Sequence, residues 1–442
     1  MSVIDPEPST QDIEAHPTGA TGPAISARLA EGDIVAPSQL ASNTNARESE
    51  SFLPRANRLV AADGRYYLDG RPTLLRAAEL QYFRIPAEQW AESIDKLRAA
   101  GCNAIASYLP WAWHEPEPGQ YDFTGETHPQ RNAVRFLKLV RDAGLVFIAR
   151  PGPFIYAEYE GFGYPSWLAE AIPQALAQRP NGKPAIASHY QLYSLQHPAY
   201  LSKVQAWYGV VAEVLRPFLN DPVVAWQIDN ETGMIYAIRL GDVDFNPDTA
   251  ARYREYLRRK FRTTRALSRR WGRRIRRFSE VVPPGVTCNH SEMTDWQAFF
   301  EHWIAGSLHR LRGMVRSLGI DLPLTVNEAG EYLSPQNPRL KSTAADFYGY
   351  DTYTKLTGAP HTADFPFASS HNPLRFQQFT SATSPLTCWE LGTGWWDWRA
   401  NVSPAATAQV FGAALAHGLK GYNLYAAQDG RDPGGYLFRF GG

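Results

Sequence analysis

Two carboxylates stand beside aromatic residues in two short segments of the sequence. Residues 226–231 read WQIDNE and end in Glu231, and residues 388–397 read CWELGTGWWD, with Glu390 as the third residue. Glycosidic cleavage requires such a pair, because one carboxyl group protonates the leaving oxygen while the other supports the positive charge developing at the anomeric carbon. The residue types alone also fit an ion-paired structural role or a metal site.

Motifs for several other chemistries are absent from the sequence. It contains no GxxxxGKS or GxxxxGKT phosphate loop, no GxGxxG dinucleotide motif, no HExxH zinc-peptidase motif and no GxSxG serine-hydrolase elbow. No group of His, Cys and carboxylate residues has the spacing of metal ligands. We therefore expect that neither a metal nor another cofactor is needed.

The charge balance argues against a polyanionic partner. The chain has 44 Lys and Arg residues against 44 Asp and Glu residues, whereas phosphate binding needs a basic field. Residues 252–277 nonetheless carry 13 basic side chains. We interpret this segment as a solvated helical face; an anion or nucleic-acid site and a contact with another subunit are the alternatives. No nucleic-acid partner is predicted, and homo-oligomerisation is left open.

The N-terminal sequence and the cysteines bear on location. Residues 1–52 are polar and lack periodicity, which predicts a disordered tail. The N-terminus has no basic start followed by an apolar run, and no stretch approaches the ~18 apolar residues of a membrane span. The three cysteines Cys102, Cys288 and Cys388 cannot form a disulfide framework. We therefore predict a cytoplasmic protein without a membrane partner.

After the tail, short apolar runs alternate with amphipathic stretches, a pattern typical of repeated βα units. Eight strands with intervening helices predict a single (β/α)₈ TIM barrel, a catalytic domain over residues 53–442. The predicted strands are Leu74–Glu79, Asn103–Tyr108, Leu145–Arg150, Val223–Asn230, Leu322–Asn327, Asp346–Tyr350, Pro385–Glu390 and Gly421–Tyr425. The predicted helices are Ala87–Ala100, Gln130–Ala143, Ala199–Leu219, Thr249–Phe261, Glu292–Leu318 and Pro404–His417.

Polar residues fall at the C-terminal ends of seven of these predicted strands. Barrel enzymes build their sites at that end, because the βα loops converge there. These residues are Glu79, Tyr108, Arg150, Asn230, Asn327, Glu390 and Tyr425.

Several separated motifs together resemble glycoside hydrolase family 35, the β-galactosidase group of clan A, over about residues 66–427. They are residues 82–86 (YFRIP), 101–108 (GCNAIASY), 114–123 (HEPEPGQYDF), 150–158 (RPGPFIYAE), 227–231 (QIDNE), 390–395 (ELGTGW) and 423–425 (NLY). The resemblance implies a (β/α)₈ barrel that hydrolyses a terminal β-linked sugar of a glycoside with retention of configuration, through a glycosyl-enzyme ester. The favoured activity is that of a β-galactosidase.

The resemblance also implies a role for individual residues. Glu231 would be the general acid/base and Glu390 the nucleophile, while Asn230 would hydrogen-bond the sugar 2-hydroxyl. Glu158 would bind hydroxyl groups away from the reacting carbon, and Tyr425 would orient the nucleophile. The implied substrate contacts are Tyr108, Ala157, Glu158, Asn230, Trp395 and Tyr425.

Departures from the family pattern leave the substrate open. Gln81 stands where the family usually has His, Tyr156 where Cys is common, and Asp229 where Glu is typical. Residues 426–430 read AAQDG instead of the usual GGTNF, and residues 253–271 are similar to family 42. The alternatives are a glycosidase or transglycosidase for another sugar, such as a β-glucosaminide or an arabinoside, and a non-catalytic carbohydrate-binding barrel.

Only 17 residues follow Tyr425. That is short for a last barrel helix, and members of the family usually carry β-sandwich domains beyond the barrel. We therefore expect an incomplete or atypical last βα unit, in either a minimal single-domain form or a truncated chain.

Overall fold

The structure, a computed structural model, describes residues 57–157, 159–238, 242–285, 288–329, 337–352, 377, 384–392, 404–425 and 427. The predicted polar tail over residues 1–52 and the predicted atypical ending beyond residue 427 lie outside the described residues.

Eight parallel strands form a closed barrel, which confirms the predicted fold class. Four of them are buried along their whole length, as expected for parallel strands covered on both faces: Ala104–Tyr108, Val146–Arg150, Val223–Gln227 and Phe347–Thr352. Around the barrel the strands follow chain order, and the last pairs with the first. The strands are β4 (Leu75–Glu79), β5 (Ala104–Tyr108), β6 (Val146–Arg150), β9 (Val223–Gln227), β10 (Leu324–Ala329), β11 (Phe347–Thr352), β12 (Thr387–Gly392) and β13 (Gly421–Tyr425).

Helices follow most of the barrel strands, and the six predicted helices are present with small shifts at their ends. The helices are α1 (Trp90–Ala99), α2 (Trp111–His114), α3 (Ala133–Asp142), α4 (Leu168–Ala171), α5 (Pro198–Leu215), α6 (Met234–Ile238), α7 (Pro247–Phe261), α8 (Thr264–Trp271), α9 (His290–Ser317), α10 (Pro338–Ser342) and α11 (Pro404–Ala416). A two-stranded ribbon, β7 (Ile186–Ala187) and β8 (Tyr190–Gln191), lies in the long connection after β6.

A small antiparallel sheet covers the N-terminal end of the barrel and was not predicted. It consists of β1 (Leu59–Ala62), β2 (Arg65–Leu68) and β3 (Arg71–Thr73). Asp-Gly pairs at residues 63–64 and 69–70 form both turns with positive φ at all four positions, the conformation that tight hairpins prefer. Tyr66 of β2 is fully buried, and its hydroxyl lies 2.7 Å from Thr387 Oγ1 at the start of β12.

Four strand ends differ from the predicted ones. The strand predicted to reach Asn230 ends at Gln227, because Asp229 and Glu231 have φ values of 56° and 41°, outside the β region. The strands β10, β11 and β12 instead continue two residues beyond their predicted ends. The extension of β11 adds Asp351 to the polar residues at the C-terminal end of the barrel.

The arginine-rich segment 252–277 forms most of α7, all of α8 and the turn that follows. Several of its charges are paired within the chain. Within α7, Glu255 forms ion pairs with Arg258 and Arg259. On α9, the buried Asp295 forms an ion pair with Lys260 at 2.8 Å, and Glu292 forms one with Arg273. This pairing favours the interpretation as a structural helical face.

No helix among the described residues combines the length and the apolar character needed to span a lipid bilayer.

Candidate active site

Polar side chains from all eight barrel strands meet at the C-terminal end of the barrel. Each is at most 3% exposed, and each forms a hydrogen bond with another member of the group. We call these residues the polar ring: Glu79 (β4), Tyr108 (β5), Arg150 (β6), Asn230 (after β9), Asn327 (β10), Asp351 (β11), Glu390 (β12) and Asn423 (β13).

Glu390 is held from three directions. The Tyr108 hydroxyl lies 2.8 Å from its Oε1 atom, Arg150 donates to the same oxygen, and the Asn327 amide lies 3.5 Å away. The Tyr108 hydroxyl is also 2.8 Å from Asn230 Oδ1. A carboxylate surrounded by donors and fixed in this way can point one oxygen at a bound substrate without first shedding water.

Arg150 links two carboxylates of the polar ring. It donates to Glu79 Oε2 at 2.5 Å and to Glu390, and its guanidinium lies 4.0 Å from the centre of the Tyr108 ring. Burial opposes the charged form, but the two carboxylates prevail and raise the pKa of Arg150. Burial raises the pKa of Glu79, and the Glu390 charge acts in the same direction while Arg150 opposes it. Gln81, one of the departures from the family pattern, donates to Glu79 Oε1 at 2.9 Å.

Asn327 connects the two candidate catalytic segments. Its Oδ1 atom accepts the backbone N–H of Glu231 at 3.0 Å. Its Nδ2 atom lies 2.7 Å from both Asn230 Oδ1 and Asp351 Oδ2. The amide side chain therefore ties the loop after β9 to the strands β11 and β12.

Glu231 lies on a tight loop that is held from behind by Asp229. The Asp229 carboxylate accepts the Phe154 backbone N–H at 2.9 Å and the Thr232 hydroxyl at 2.7 Å. Its backbone N–H donates to Gly152 at 2.9 Å. These bonds join the Glu231 loop to the loop after β6, and burial raises the pKa of Asp229 to about 7.

A third carboxylate, Asp351, lies close to the two glutamates and was not predicted from the sequence. One oxygen each of Glu231, Asp351 and Glu390 lies within 4.8 Å of the other two. Burial, followed by the charges of Glu390 and Glu231, raises the pKa of Asp351 well above the ordinary range. The rule that polar residues end barrel strands identifies Asp351 once β11 is drawn to its observed end.

A buried ion pair supports the same loop from its other side. Lys341 of α10 lies 2.7 Å from Glu328 of β10 and donates to the Thr232 carbonyl at 2.9 Å. The Tyr348 hydroxyl donates to Glu328 at 2.8 Å. The sequence does not predict this pair, because nothing in the spacing of residues 328 and 341 connects them.

The predicted substrate contacts are brought together in part. Tyr108 and Asn230 belong to the polar ring, and Tyr425 is buried at the end of β13. Ala157 follows the site strand β6 with φ of 47°, and its carbonyl accepts from Arg84. Glu158 and Trp395 lie outside the described residues.

The three clustered carboxylates also have a geometry that suits a cation, since each offers one oxygen to a common point. Because Arg150 already donates to Glu390, a cation there would compete with the guanidinium. The expectation that no metal is needed stays a prediction.

Comparison with known proteins agrees with this geometry. Residues 65–273 match the model of glycosyl hydrolases family 35. The chain is 29% identical over 386 residues to a β-1,2-glucosyltransferase of Ignavibacterium album, covering 84% of this chain and 53% of that protein. It is 34% identical over 270 residues to an exo-β-D-glucosaminidase of Thermococcus kodakarensis, covering 59% and 34%. With the β-galactosidase of Homo sapiens it shares 36% over 192 residues, covering 43% and 25%.

These relatives are longer than the chain, which spans about half of the first and smaller parts of the others. A solved family 42 β-galactosidase, Gan42B of G. stearothermophilus, aligns with a TM-score of 0.65 at 16% identity, over 80% of this chain and 51% of that one. At this identity the likeness shows the barrel fold alone. The match of residues 65–273 to the family model and the likeness to β-galactosidases support membership of glycosyl hydrolase family 35.

Proposed function

We propose that the chain is a retaining, exo-acting β-glycosidase in which Glu390 is the nucleophile and Glu231 the general acid/base. The observation that carries the proposal is the approach of the two carboxyl groups, whose nearest oxygens lie within 4.8 Å. Retaining enzymes place these groups about 5–5.5 Å apart, whereas inverting enzymes need about 6.5–9.5 Å to admit a water between them. The short distance favours the retaining mechanism.

The surroundings of the two glutamates suit opposite roles. Arg150 and Tyr108 donate to Glu390, which fixes its carboxyl group for attack on the anomeric carbon. Hydrogen bonds hold the backbone of Glu231, and Asp351 lies beside its carboxyl group. A second carboxylate at short range favours retention of a proton, which an acid catalyst requires.

In the first step, Glu390 attacks the anomeric carbon while Glu231 protonates the departing oxygen, which gives a glycosyl ester and a free alcohol. In the second step, Glu231 takes a proton from water, whose oxygen displaces Glu390 from the sugar. Asn230 is positioned by Arg150 at 3.0 Å and Asn327 at 2.7 Å, and we propose that it bonds the 2-hydroxyl, a contact that strengthens in the transition state.

β-Galactoside is our first choice of substrate, supported by the likeness to the human β-galactosidase and by the motifs around residues 150–158. We propose that Glu158 and Trp395 complete the sugar subsite with Tyr108, Ala157 and Tyr425. A β-glucosaminide is the second candidate. Three carboxylates near one guanidinium give this site an excess of negative charge, which would attract the ammonium group of an amino sugar. Transfer to a sugar acceptor is a further alternative.

A panel of nitrophenyl β-glycosides tests the substrate. Hydrolysis of the β-galactoside no faster than the β-glucoside and the β-glucosaminide would overturn the galactosidase assignment and leave the glycosidase one. Addition of sugar acceptors, with products separated by chromatography, distinguishes hydrolysis from transfer. A chelator should leave the rate unchanged, whereas loss of activity with recovery on adding a divalent ion would contradict the expectation that no metal is needed.

Azide trapping tests the two catalytic roles separately. In Glu231→Ala, kcat/KM should fall by about 10²–10⁴-fold for glycosides with poor leaving groups. It should fall little for a dinitrophenyl glycoside, because this leaving group needs no proton. With azide this variant should give the β-glycosyl azide, because azide attacks the glycosyl ester. Without azide, Glu390→Ala should have no turnover. With azide and an activated substrate it should give the α-glycosyl azide, because azide replaces the nucleophile. The opposite pairing of variants and products would overturn the assignment.

We also propose a cytoplasmic location, which the cysteine content supports. Cys102 and Cys388 are buried free thiols. Fractionation of cells that express the untagged protein tests this proposal.

A further inference from the structure

The two-carboxylate mechanism assigns no chemical step to Asp351, although this residue is buried close to both glutamates. It is 1% exposed and one of its oxygens lies within 4.8 Å of Glu231 and of Glu390. Its Oδ2 atom accepts from Asn327 at 2.7 Å. Its Oδ1 atom is buried and receives no hydrogen bond from the residues that the structure describes. A buried carboxylate oxygen without a donor is costly when ionised.

The guanidinium group of the polar ring donates its hydrogen bonds to residues other than Asp351. Arg150 donates to Glu79, Asn230 and Glu390, and the amide donor of Asp351, Asn327, is neutral and shared with Asn230. Among the described residues, the titratable and charged groups that face Asp351 are Arg150 of β6, Glu231 after β9, Tyr348 and Tyr350 of β11, and Cys388 and Glu390 of β12. Arg150 alone among them is cationic.

We propose that Asp351 is a positioning residue that holds one proton jointly with Glu231 and thereby sets the pH at which Glu231 stops acting as an acid. The inference rests on the proposed function, since it assigns the acid to Glu231. Two carboxyl groups this close in a buried site release their protons in two separated steps, the second at raised pH. The raised pKa of Asp351 agrees with such a pair.

The shared proton keeps the charge of the three carboxyl groups constant through the reaction. Before reaction, Glu390 carries one negative charge and the pair carries one. When the glycosyl ester forms, Glu390 becomes neutral and the pair gives its proton to the leaving oxygen, so the pair carries both charges. Attack by water returns the proton to the pair and the charge to Glu390. Each step therefore moves charge within the cluster and adds none to it.

The test is the pH dependence of kcat/KM for Asp351→Asn, measured with the nitrophenyl glycoside that the wild-type protein hydrolyses fastest. Asparagine keeps the shape and removes the charge beside Glu231. The basic limb of the profile should move to lower pH by ~1 unit or more, as expected for sites that interact by more than one unit. Asp351→Glu restores the carboxyl group and should move the limb back towards the wild-type position.

Two controls separate this role from a structural one. Cys388→Ala alters a buried neighbour of Asp351 without changing any carboxyl group, and its basic limb should coincide with that of the wild type. With a dinitrophenyl glycoside the basic limb should fade in both the wild type and Asp351→Asn. A lowered rate of Asp351→Asn with an unmoved limb would overturn the proposal, as would a shift that persists with the dinitrophenyl substrate.

A direct titration keeps the proposal testable if no glycoside is hydrolysed. In protein with ¹³C-labelled Asp and Glu carboxyl groups, NMR should record a carboxyl group that titrates well above the ordinary range and that is missing from Asp351→Asn. An inactive wild type would refute the proposed function alone. The proposal of a shared proton would be refuted if every Asp and Glu signal that is absent from Asp351→Asn had a pKa below about 5 in the wild type.

Discussion

Asn327 contacts the backbone of Glu231 and the carboxylate of Glu390, and its loss should affect both candidate catalytic glutamates. Asn327→Ala removes the acceptor of the Glu231 N–H and the amide donor of Asn230 and Asp351. We expect kcat/KM to fall by about 10²–10³-fold, comparable to losing one preorganised donor of a catalytic site. Steady-state kinetics together with a thermal melt check this, and an intact rate in a folded variant would contradict it.

Asp229 gives the stability of the chain a pH dependence of known sign. Its pKa is raised to about 7 in the folded state, whereas an unfolded Asp titrates near 3.9. Between these pH values the folded state binds a proton that the unfolded state has lost. The contribution of Asp229 to the free energy of unfolding therefore falls as pH rises from about 4 to about 7 and then levels off.

Asp229→Asn should remove this contribution, because an amide has no proton to lose. The amide oxygen can still accept the Phe154 N–H. Relative to the wild type, the variant should gain on the order of 2–4 kcal/mol of stability between pH 4 and pH 7. Thermal melts of both proteins across this range measure the difference, and parallel curves would contradict the prediction.

At the level of residues, the sequence located Glu231 and Glu390 because each stands in a motif at a strand end. It located Glu79 and Arg150 by the same rule, although not their contact. Asp351 was not predicted because the predicted strand ended at Tyr350, whereas β11 continues to Thr352. Lys341 and Glu328 could not have been paired from the sequence, since nothing in their spacing connects them.

The loop that carries Glu231 packs closely against α9, and Gly233 makes this approach possible. Gly233 has φ of +88°, and a Cβ atom there would lie 2.9 Å from Cγ1 of the buried Ile304. Gly233→Ala should therefore destabilise the protein by about 1–3 kcal/mol and lower kcat by displacing Glu231.

Gly313 provides a matched control on the same helix. It lies on the exposed face of α9, and a Cβ atom there would meet nothing within 4 Å. Gly313→Ala should raise stability by about 0.5–1 kcal/mol and leave kcat unchanged. Thermal melts and kinetics of the two variants provide the comparison, and equal effects would show that the Glu231 loop tolerates the shift.

At the level of elements, the alternation of apolar runs and amphipathic stretches was enough to identify all eight barrel strands and six helices. The small N-terminal sheet was overlooked because its strands have only three or four residues, although both Asp-Gly turns are written in the sequence. The loop after β9 could not be anticipated, since its positive φ values at Asp229 and Glu231 are imposed by contacts with β10 and the loop after β6.

The N-terminal end of the barrel contributes to stability, whereas the C-terminal end carries the candidate active site. Tyr66 fills the N-terminal end, far along the strands from the polar ring, and bonds Thr387 at 2.7 Å. Tyr66→Phe should lower the free energy of unfolding by about 1 kcal/mol and leave kcat and KM unchanged. Tyr67→Phe, on the half-buried face of the same strand, is the control and should change neither. Denaturant unfolding and kinetics test this, and altered kinetics in Tyr66→Phe would contradict it.

The polar ring closes on itself where Asn423 of β13 donates to Glu79 of β4 at 2.5 Å and to the Trp389 carbonyl of β12 at 2.9 Å. The last and first barrel strands are thus joined both by backbone hydrogen bonds and by the side chains of the polar ring. No single βα unit can detach by local unfolding and leave the remaining site competent. On heating, catalysis should therefore vanish in the same cooperative transition as the barrel, and the most slowly exchanging amide protons should lie in the strands beneath the ring. The residual activity at each temperature would then equal the fraction of molecules that remain folded.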